Sequence, residues 1–340
     1  MFSVSTAVTA AATRSTTITI DPWGSDSFRV RFNMDGGRPY NGPGALEDNF
    51  SASNNGRPQS TGNTYTNGNL VLSIDPPTGK LTASRAGANA LIFAELDLSF
   101  TAAAADGSAV ANMTKLNVRS AGNATGYYGF GEHENGRLDQ VGLRYDMEAC
   151  IEYSVSRGGE VCLPWVMVAD DLGEGKAFQF GLLWNVPAYG SVDFGSGDPS
   201  LHTWTGHNLD QADVFITTFE AGTAARSKQA AADLLSHYVD AVGHAPPLPS
   251  WASGYWHSKN RYSSQSEVEA ALALFKQYNI SMSVFVIDYF NWCIASGSDA
   301  VSEPLRGRRG GAGSRQMHPQ GPQLGTIPPS AHGSPLAAGR

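Results

Sequence analysis

Short runs of alternating apolar and polar residues, separated by glycine- and asparagine-rich turns, constrain the fold most strongly. At 27–32, Phe28, Val30 and Phe32 alternate with serine and arginine, the period of a half-buried strand. Similar strand signals recur at 70–74, 91–93, 161–168 and 214–216, between turn clusters at 35–37, 54–56, 67–68 and 77–79. Residues 20–245 are therefore predicted to form an antiparallel β-sandwich, with one helix near 224–239.

A domain boundary is predicted at the Ala-Pro-Pro-Leu-Pro segment 245–249. Proline cannot continue a helix, and a proline-rich stretch is a stiff connector. The chain has 340 residues, which exceeds what one hydrophobic core usually supports. Two folded regions are therefore expected, residues 20–245 and 246–295.

The second region has the pattern of a βαβ unit. An apolar segment at 251–256 is followed by a capping box at 264–267 and apolar residues at helical spacing. The run 283–288 is almost continuously apolar, which is typical of a parallel strand buried on both faces. Asp288 ends this strand, and the carboxyl ends of strands hold the active site in α/β barrels.

Three segments resemble glycoside hydrolase family 31, the α-glucosidase and α-xylosidase family. They are Tyr-Tyr-Gly-Phe-Gly-Glu-His-Glu-Asn-Gly at 127–136, Gly-Leu-Leu-Trp-Asn at 181–185, and the Pro-Leu-Pro-Ser-Trp-Ala-Ser-Gly-Tyr-Trp-His-Ser segment at 247–258 with Arg261 and Tyr262. Val-Ile-Asp-Tyr-Phe at 286–290 follows the third segment at the family's spacing. The resemblance covers about residues 125–295.

This resemblance implies a galactose mutarotase-like β-sandwich followed by the first βαβ of a (β/α)8 TIM barrel. It implies retaining hydrolysis of α-glycosidic bonds by two aspartates, without a cofactor or metal. The expected partner is an α-linked oligosaccharide or glycoside. Asp288 resembles the family aspartate that binds sugar hydroxyls, and Trp256, Tyr289 and Trp292 are candidate aromatic surfaces around the same mouth.

The sequence departs from the family where catalysis would occur. No segment resembles the W-x-D-M-N-E-like motif around the family's catalytic aspartates. Asp170 and Asp171 precede the barrel segment and Asp299 follows it, so no catalytic residue is assigned. An α-glycosidase and a non-catalytic carbohydrate- or partner-binding remnant both remain open, as do α-glucoside and α-xyloside specificity.

The two ends of the sequence have a different composition from the rest. Residues 1–19 are rich in Ser, Thr and Ala and are expected to be a disordered leader. Residues 296–340 contain nine Gly and six Pro among 45 residues, which predicts disorder. A frameshift or retained intron near 295–300 would explain the abrupt change, and a naturally truncated protein is the alternative.

Composition excludes some classes of function. The net charge of −8 argues against a nucleic-acid-binding surface, and no run of eighteen apolar residues predicts a membrane span. Cys150, Cys162 and Cys293 do not suggest a disulfide framework; the first two lie in neighbouring apolar segments and could pair, but free buried thiols are expected there. Compartment and oligomeric state stay open.

Two further motifs resemble ligand sites but have simpler interpretations. Glu132-His133-Glu134 lacks a second histidine at ligand spacing, and a hydrogen-bonded strand end is expected there. Gly129-Phe130-Gly131 is not followed by a third glycine or a βαβ unit, which excludes a dinucleotide loop. The residues Arg137, Asp139 and Gln140 are weaker candidates for a loop that reaches the active-site mouth.

Overall fold

The computed structural model describes residues 2–6, 16–34, 42–47, 59–87, 91–101, 113–122, 125–133, 135–147, 151–152, 161–171, 175–207, 209 and 211–288. The chain divides into two compact units, unit 1 (residues 1–245) and unit 2 (residues 246–340). The predicted tail 296–340 lies outside the described residues.

Unit 1 consists mainly of β-strands that run antiparallel to their neighbours. The strands are β1 Phe2–Thr6, β2 Thr16–Pro22, β3 Ser27–Met34, β4 Gln59–Thr61, β5 Thr64–Asn67, β6 Leu70–Ile74, β7 Leu81–Arg85, β8 Leu91–Thr101, β9 Met113–Ser120, β10 Thr125–Glu132, β11 Arg144–Asp146, β12 Ile151–Glu152, β13 Val161–Asp171, β14 Lys176–Trp184, β15 Gly190–Phe194, β16 Leu201–His207 and β17 Gln211–Thr217. In the described part of the chain, seven strands form one sheet in the order β1-β2-β3-β17-β14-β13-β10. Ten form the other, in the order β12-β11-β15-β16-β9-β8-β7-β6-β5-β4.

One hydrophobic core contains buried side chains from both sheets. On β6, for example, Leu70, Leu72 and Ile74 are buried, whereas Val71 and Ser73 are half-buried. Burying an aliphatic side chain of this size contributes about 1.5–3 kcal/mol. The alternation read from the sequence therefore corresponds to the inner and outer faces of the strands.

Helix α1, Lys228–Val242, covers part of the other face of the seven-stranded sheet. Leu234 of α1 is buried in a second cluster with Trp165 and Phe215, and the ring of Tyr238 stacks on Trp165 with 4.4 Å between centroids. Because α1 adds this second packed layer, every residue of β17 is buried. The side chain of Ser227 caps the helix by accepting a hydrogen bond from a backbone N–H at 3.1 Å.

The expectation of a disordered leader is wrong for residues 2–6 and 16–19. β1 pairs with β2, and β2 continues the sheet beside β3. Ile18 and Ile20 on β2 are almost completely buried in the shared core. Alternating β-branched residues fit a pleated surface well, and this signal outweighs the high Ser and Thr content.

The expectation of a free thiol at Cys162 is also wrong. Cys162 on β13 is disulfide-bonded. Cys150 and Cys293 lie outside the described residues.

Unit 2 has a short 3₁₀ turn at Ser250–Ser253, followed by strand β18 Trp256–Ser258, helix α2 Gln265–Gln277 and strand β19 Val284–Val286. β18 and β19 pair in parallel. Within its described residues, 246–288, Tyr262 is the one hydrophobic side chain that is fully buried. β19 is half-buried along its length. This segment therefore has apolar faces on α2 and β19 but little core of its own.

Candidate functional site

The candidate site lies at the carboxyl edge of the β18–β19 pair. Strands that run in parallel end at the same edge of a sheet, and here Ser258 pairs with Val286 as the last residue of each strand. Asp288 follows two residues later and its side chain is exposed. A strand, a capped helix and a parallel strand thus place an accessible carboxylate where the sequence predicted one.

The start of α2 is fixed beside this edge by a modified capping box. The Ser264 hydroxyl oxygen accepts a hydrogen bond from the Glu267 backbone N–H at 3.3 Å. The Glu267 carboxylate accepts a hydrogen bond from the backbone N–H of Ser263 at 2.8 Å. A standard capping box would use the N–H of the N-cap residue Ser264 instead. The ion pair with Lys259 lowers the pKa of Glu267, so this carboxyl is ionised and already engaged.

A histidine–tyrosine pair, which the sequence did not reveal, supports the chain between β18 and α2. His257 Nε2 lies 2.6 Å from the hydroxyl oxygen of Tyr262. Both rings pack near Phe285 of β19, with centroid separations of 5.1 and 5.0 Å. The Lys259 ammonium lies 4.7 Å from the Tyr262 ring centroid. These contacts hold the segment after β18 in place, and aromatic content alone did not predict the pairing.

Trp256 lies at the amino end of the β18–β19 pair and Asp288 follows its carboxyl end, and the role of Trp256 as an aromatic surface for the sugar stays a prediction. Trp256 opens β18 and pairs with Val284, which opens β19. Asp288 lies four residues beyond Val284, about 13 Å of extended chain. The sequence assigned the strand to 251–256, but a 3₁₀ turn occupies its start, and Trp256 instead stacks on Trp251 at the amino end.

The other aromatic candidates, Tyr289 and Trp292, lie outside the described residues. Their role as sugar-stacking surfaces stays a prediction.

The 127–136 segment forms a strand with an irregular end. The register of β10 against β13 shifts between Gly129 and Gly131, and Phe130 between them has a positive φ of 68°. His133 packs against the ring of Tyr145 at 4.7 Å, and burial lowers the pKa of His133. In the described part of the chain no group of three His, Cys, Asp or Glu side chains could hold a metal ion.

The three weaker loop candidates make hydrogen bonds within unit 1. Asp139 accepts from the backbone N–H of Tyr127 at 3.0 Å. The Gln140 amide donates to the Arg137 carbonyl at 2.6 Å and accepts from the Tyr145 hydroxyl at 2.5 Å. The Arg137 guanidinium donates to a backbone carbonyl four residues ahead. These contacts give the three residues a structural role in this loop.

Asn185, which ends the Gly-Leu-Leu-Trp-Asn motif, anchors the backbone of residues 42–46. Its side-chain oxygen accepts from the Ala45 N–H at 2.8 Å, and its amide donates to the Pro43 carbonyl at 2.8 Å. The same amide reaches Asp213, which is ion-paired with Arg29 at 2.5 Å. The motif therefore marks a buried polar network rather than a ligand site.

Comparisons with known proteins agree on one family. Residues 245–300 match the model of the glycosyl hydrolases family 31 TIM-barrel domain. The chain is 28% identical over 165 residues to an uncharacterized family 31 glucosidase of Pseudescherichia vulneris, covering 48% of the chain and 26% of that protein. It is 25% identical over 167 residues to an alpha-xylosidase of Saccharolobus solfataricus, covering 48% of the chain and 20% of that protein.

A comparison of folds extends the likeness over more of the chain. The crystal structure of a family 31 alpha-xylosidase from a soil metagenome, complexed with xylose, matches with a TM-score of 0.60 at 22% identity. This match covers 82% of the chain and 40% of that structure. At this identity the likeness shows a shared fold.

The family model and the curated relatives thus agree that the chain is a relative of carbohydrate-cleaving enzymes. The resemblance to glycoside hydrolase family 31 inferred from its motifs is confirmed. The matched region spans 26% and 20% of the lengths of the two curated relatives named above. No helix among the described residues is long and apolar enough to cross a membrane.

Proposed function

We propose that unit 2 begins the catalytic domain of a family 31 glycoside hydrolase whose substrates are α-glucosides or α-xylosides. In this proposal the whole protein hydrolyses its substrate with retention, and Asp288 binds hydroxyl groups of the sugar. Relatives named as a glucosidase and as xylosidases support both substrate classes.

One observation carries the proposal: an exposed carboxylate follows a parallel strand inside the segment that matches the family's barrel model. β18, α2 and β19 have the order of one barrel repeat, and Asp288 lies just beyond the carboxyl edge. A carboxylate accepts hydrogen bonds from two hydroxyl groups at once, which suits a sugar diol. Tyr289 and Trp292 follow at once in the sequence and are proposed to stack on the sugar.

The proposed architecture extends beyond this edge. Unit 1 is proposed to be the galactose mutarotase-like β-sandwich, since its two sheets share one core. Residues 246–295 are proposed to be the first βαβ of the (β/α)8 TIM barrel. A barrel of this kind takes about 250 residues, so the remaining repeats would have to come from elsewhere in the whole protein.

The chain as written is proposed to bind sugar without cleaving it. Retention needs two carboxyl groups about 5–5.5 Å apart, one as nucleophile and one as acid and base. In the described part of unit 2, Glu267 is paired with Lys259 and Glu269 accepts a hydrogen bond from Gln265. Asp288, which is exposed just beyond the carboxyl edge, would serve the sugar as a binding group.

The test combines hydrolysis with binding, using purified 1–340. We expect no turnover of 4-nitrophenyl α-D-xyloside or α-D-glucoside, and weak binding of the corresponding methyl glycosides by saturation-transfer NMR. Asp288→Ala should raise the Kd at the unit 2 site at least about tenfold, because a hydrogen bond to a charged group contributes about 1.5–3 kcal/mol. The matched control is Glu269→Ala on α2, which should bind like the wild type.

Two results would refute the proposal in different ways. Turnover by 1–340 would show that its nucleophile is present after all. Binding that is insensitive to Asp288→Ala would remove Asp288 from the sugar site.

The alternative is a non-catalytic carbohydrate- or partner-binding protein derived from the family. The observation that favours it is the lack of a W-x-D-M-N-E-like segment in the printed sequence. Sequencing the transcript across codons 292–302 separates the two. A frame that continues into such a segment supports the enzyme, and a transcript that encodes the printed tail supports the binding protein.

A further inference from the structure

A second polar pocket lies on unit 1, on the outer face of the ten-stranded sheet. It has a volume of about 160 Å³ and is lined by Glu95, Asp97, Asn117, Arg119 and Leu201. These residues belong to the adjacent strands β8, β9 and β16. A rigid sheet therefore positions every lining side chain, which favours a preformed site over a chance gap between loops.

Strand register places a carboxylate directly opposite an amide in this pocket. Asp97 on β8 pairs with Asn117 on β9, and Asn117 pairs with Thr203 on β16. Directly opposed residues on one face have Cβ atoms about 4.5–5.5 Å apart. The residues before and after Asn117 on β9, Leu116 and Val118, are buried in the core. Asp97 and Asn117 thus form the outward-facing centre of the pocket.

The charged residues at one side of the pocket are already paired. Glu95 forms an ion pair with Lys80 at 2.5 Å. Arg119 forms one with Asp198 at 2.7 Å, and its guanidinium also donates to the hydroxyl of Ser200 at 3.0 Å. These pairs fix the wall of the pocket and cancel most of its charge.

Asp97 and Asn117 retain free hydrogen-bonding capacity. The Thr203 hydroxyl donates to Asn117 Oδ1 at 2.9 Å, which assigns that atom as the acceptor and leaves the amide N–H groups without a partner among the described residues. The Asp97 carboxylate accepts a hydrogen bond from the backbone N–H of Leu98, and burial raises its pKa against the opposing charge of Lys80. The remaining lone pairs of the Asp97 carboxylate and the amide N–H groups of Asn117 therefore lie side by side in a half-buried position.

We propose that this pocket binds one ring of a saccharide. The Asp97 carboxylate accepts hydrogen bonds from ring hydroxyls, the Asn117 amide donates to an adjacent hydroxyl oxygen, and Leu201 contacts the C–H surface. The volume equals that of about five water molecules, which suits a single sugar ring. The site lies wholly within unit 1, so the inference does not depend on hydrolysis or on Asp288.

A divalent cation fits the pocket less well. Calcium takes six to eight oxygen ligands. Here Glu95 is neutralised by Lys80, and the side-chain oxygen of Asn117 is used by Thr203. The free N–H groups of Asn117 would point a donor at a cation, whereas they complement a hydroxyl oxygen.

The test uses 1–340 carrying Asp288→Ala, which removes the proposed unit 2 site. Methyl α-D-xylopyranoside and methyl α-D-glucopyranoside are titrated by saturation-transfer NMR, and at least one is expected to bind with a millimolar Kd. Adding Asp97→Asn or Asn117→Ala should weaken this binding at least about tenfold. The control is Ser73→Ala, a half-buried position on β6 of the same sheet, which should leave it unchanged.

Three outcomes would overturn the inference. The first is that neither glycoside binds in the Asp288→Ala background. The second is that Asp97→Asn and Asn117→Ala both leave the binding intact. The third is that the protein gives terbium luminescence which Asp97→Asn abolishes. The last result would assign the pocket to a cation. If Asp288→Ala abolishes binding while Asp97→Asn and Asn117→Ala have no effect on it, the result would support the proposed function and refute a sugar site in this pocket.

Discussion

His202 should make unit 1 sensitive to mild acid. Its side chain is completely buried in the core, edge-on to the ring of Tyr127 at 5.1 Å. Neither ring nitrogen of His202 has a hydrogen-bond partner among the described residues. Burial without a partner disfavours the charged ring and lowers the pKa of His202 from 6.5 to about 3.

The sign and size of the effect follow from proton linkage. Because the folded pKa is depressed, the unfolded chain takes up the proton first, and stability falls as the pH drops from about 6.5 towards 3. At pH 5.0 the unfolded state gains about 2 kcal/mol from protonating this ring, against about 0.1 kcal/mol at pH 7.5. By pH 3 the loss of stability reaches about 4 kcal/mol.

The perturbation is His202→Leu, which removes the titrating ring and keeps an apolar side chain in the core. Urea unfolding is followed by tryptophan fluorescence at pH 7.5 and 5.0 for both proteins. The wild type should lose about 2 kcal/mol more than the variant between the two pH values. His207→Gln, at the half-buried end of the same strand, is the control and should lose as much as the wild type. Equal losses in His202→Leu and the wild type would refute the reasoning.

Two further perturbations test the packing of unit 1, each by urea unfolding. Gly131→Ala should cost several kcal/mol, because its Cβ would lie 2.1 Å from a carbonyl oxygen of the neighbouring strand. Gly136→Ala shares the positive φ, but its Cβ would meet no atom of the described residues within 4 Å, and it should cost only about 1–2 kcal/mol. Equal losses in the two variants would exclude the clash. Asp213→Asn should cost about 3–5 kcal/mol, because it leaves the buried guanidinium of Arg29 unpaired. Asp193→Asn, which unpairs an exposed arginine, should cost at most about 1 kcal/mol, and a similar loss in both would contradict this account.

Local patterns in the sequence predicted most of the regular structure. Alternation located the strands, because a period of two follows directly from the pleat. The predicted helix at 224–239 corresponds to α1, Lys228–Val242, and the capping box located the start of α2. These features depend on residues close together in the chain.

The incorrect predictions concern features that depend on distant residues or on a competing local structure. β1 and β2 gain their order from sheet pairing and from the core, which Ser and Thr content does not report. The strand expected at 251–256 is displaced by a 3₁₀ turn after Pro249, so that Trp256 opens β18 instead of closing the strand.

The sites show the same division. The position of Asp288 could be predicted because it follows from a strand end, whereas the His257–Tyr262 pair depends on how a loop folds back over β18. The pocket around Asp97 and Asn117 joins strands whose order was unknown from the sequence. No local pattern distinguishes these two polar residues from others on the solvent face of a strand.

The scarcity of core in residues 246–288 has a consequence during synthesis. Leu272, Leu274 and Ile280 remain exposed even though α2 and both strands are formed. Domains generally fold as they leave the ribosome, N-terminal first, at about 5–20 residues per second. Unit 1 can bury its core while the next 43 residues, taking about 2–9 s, are still being made. We therefore expect the nascent chain to present its strongest chaperone-binding segment after unit 1 has folded, within α2 and the residues that follow it.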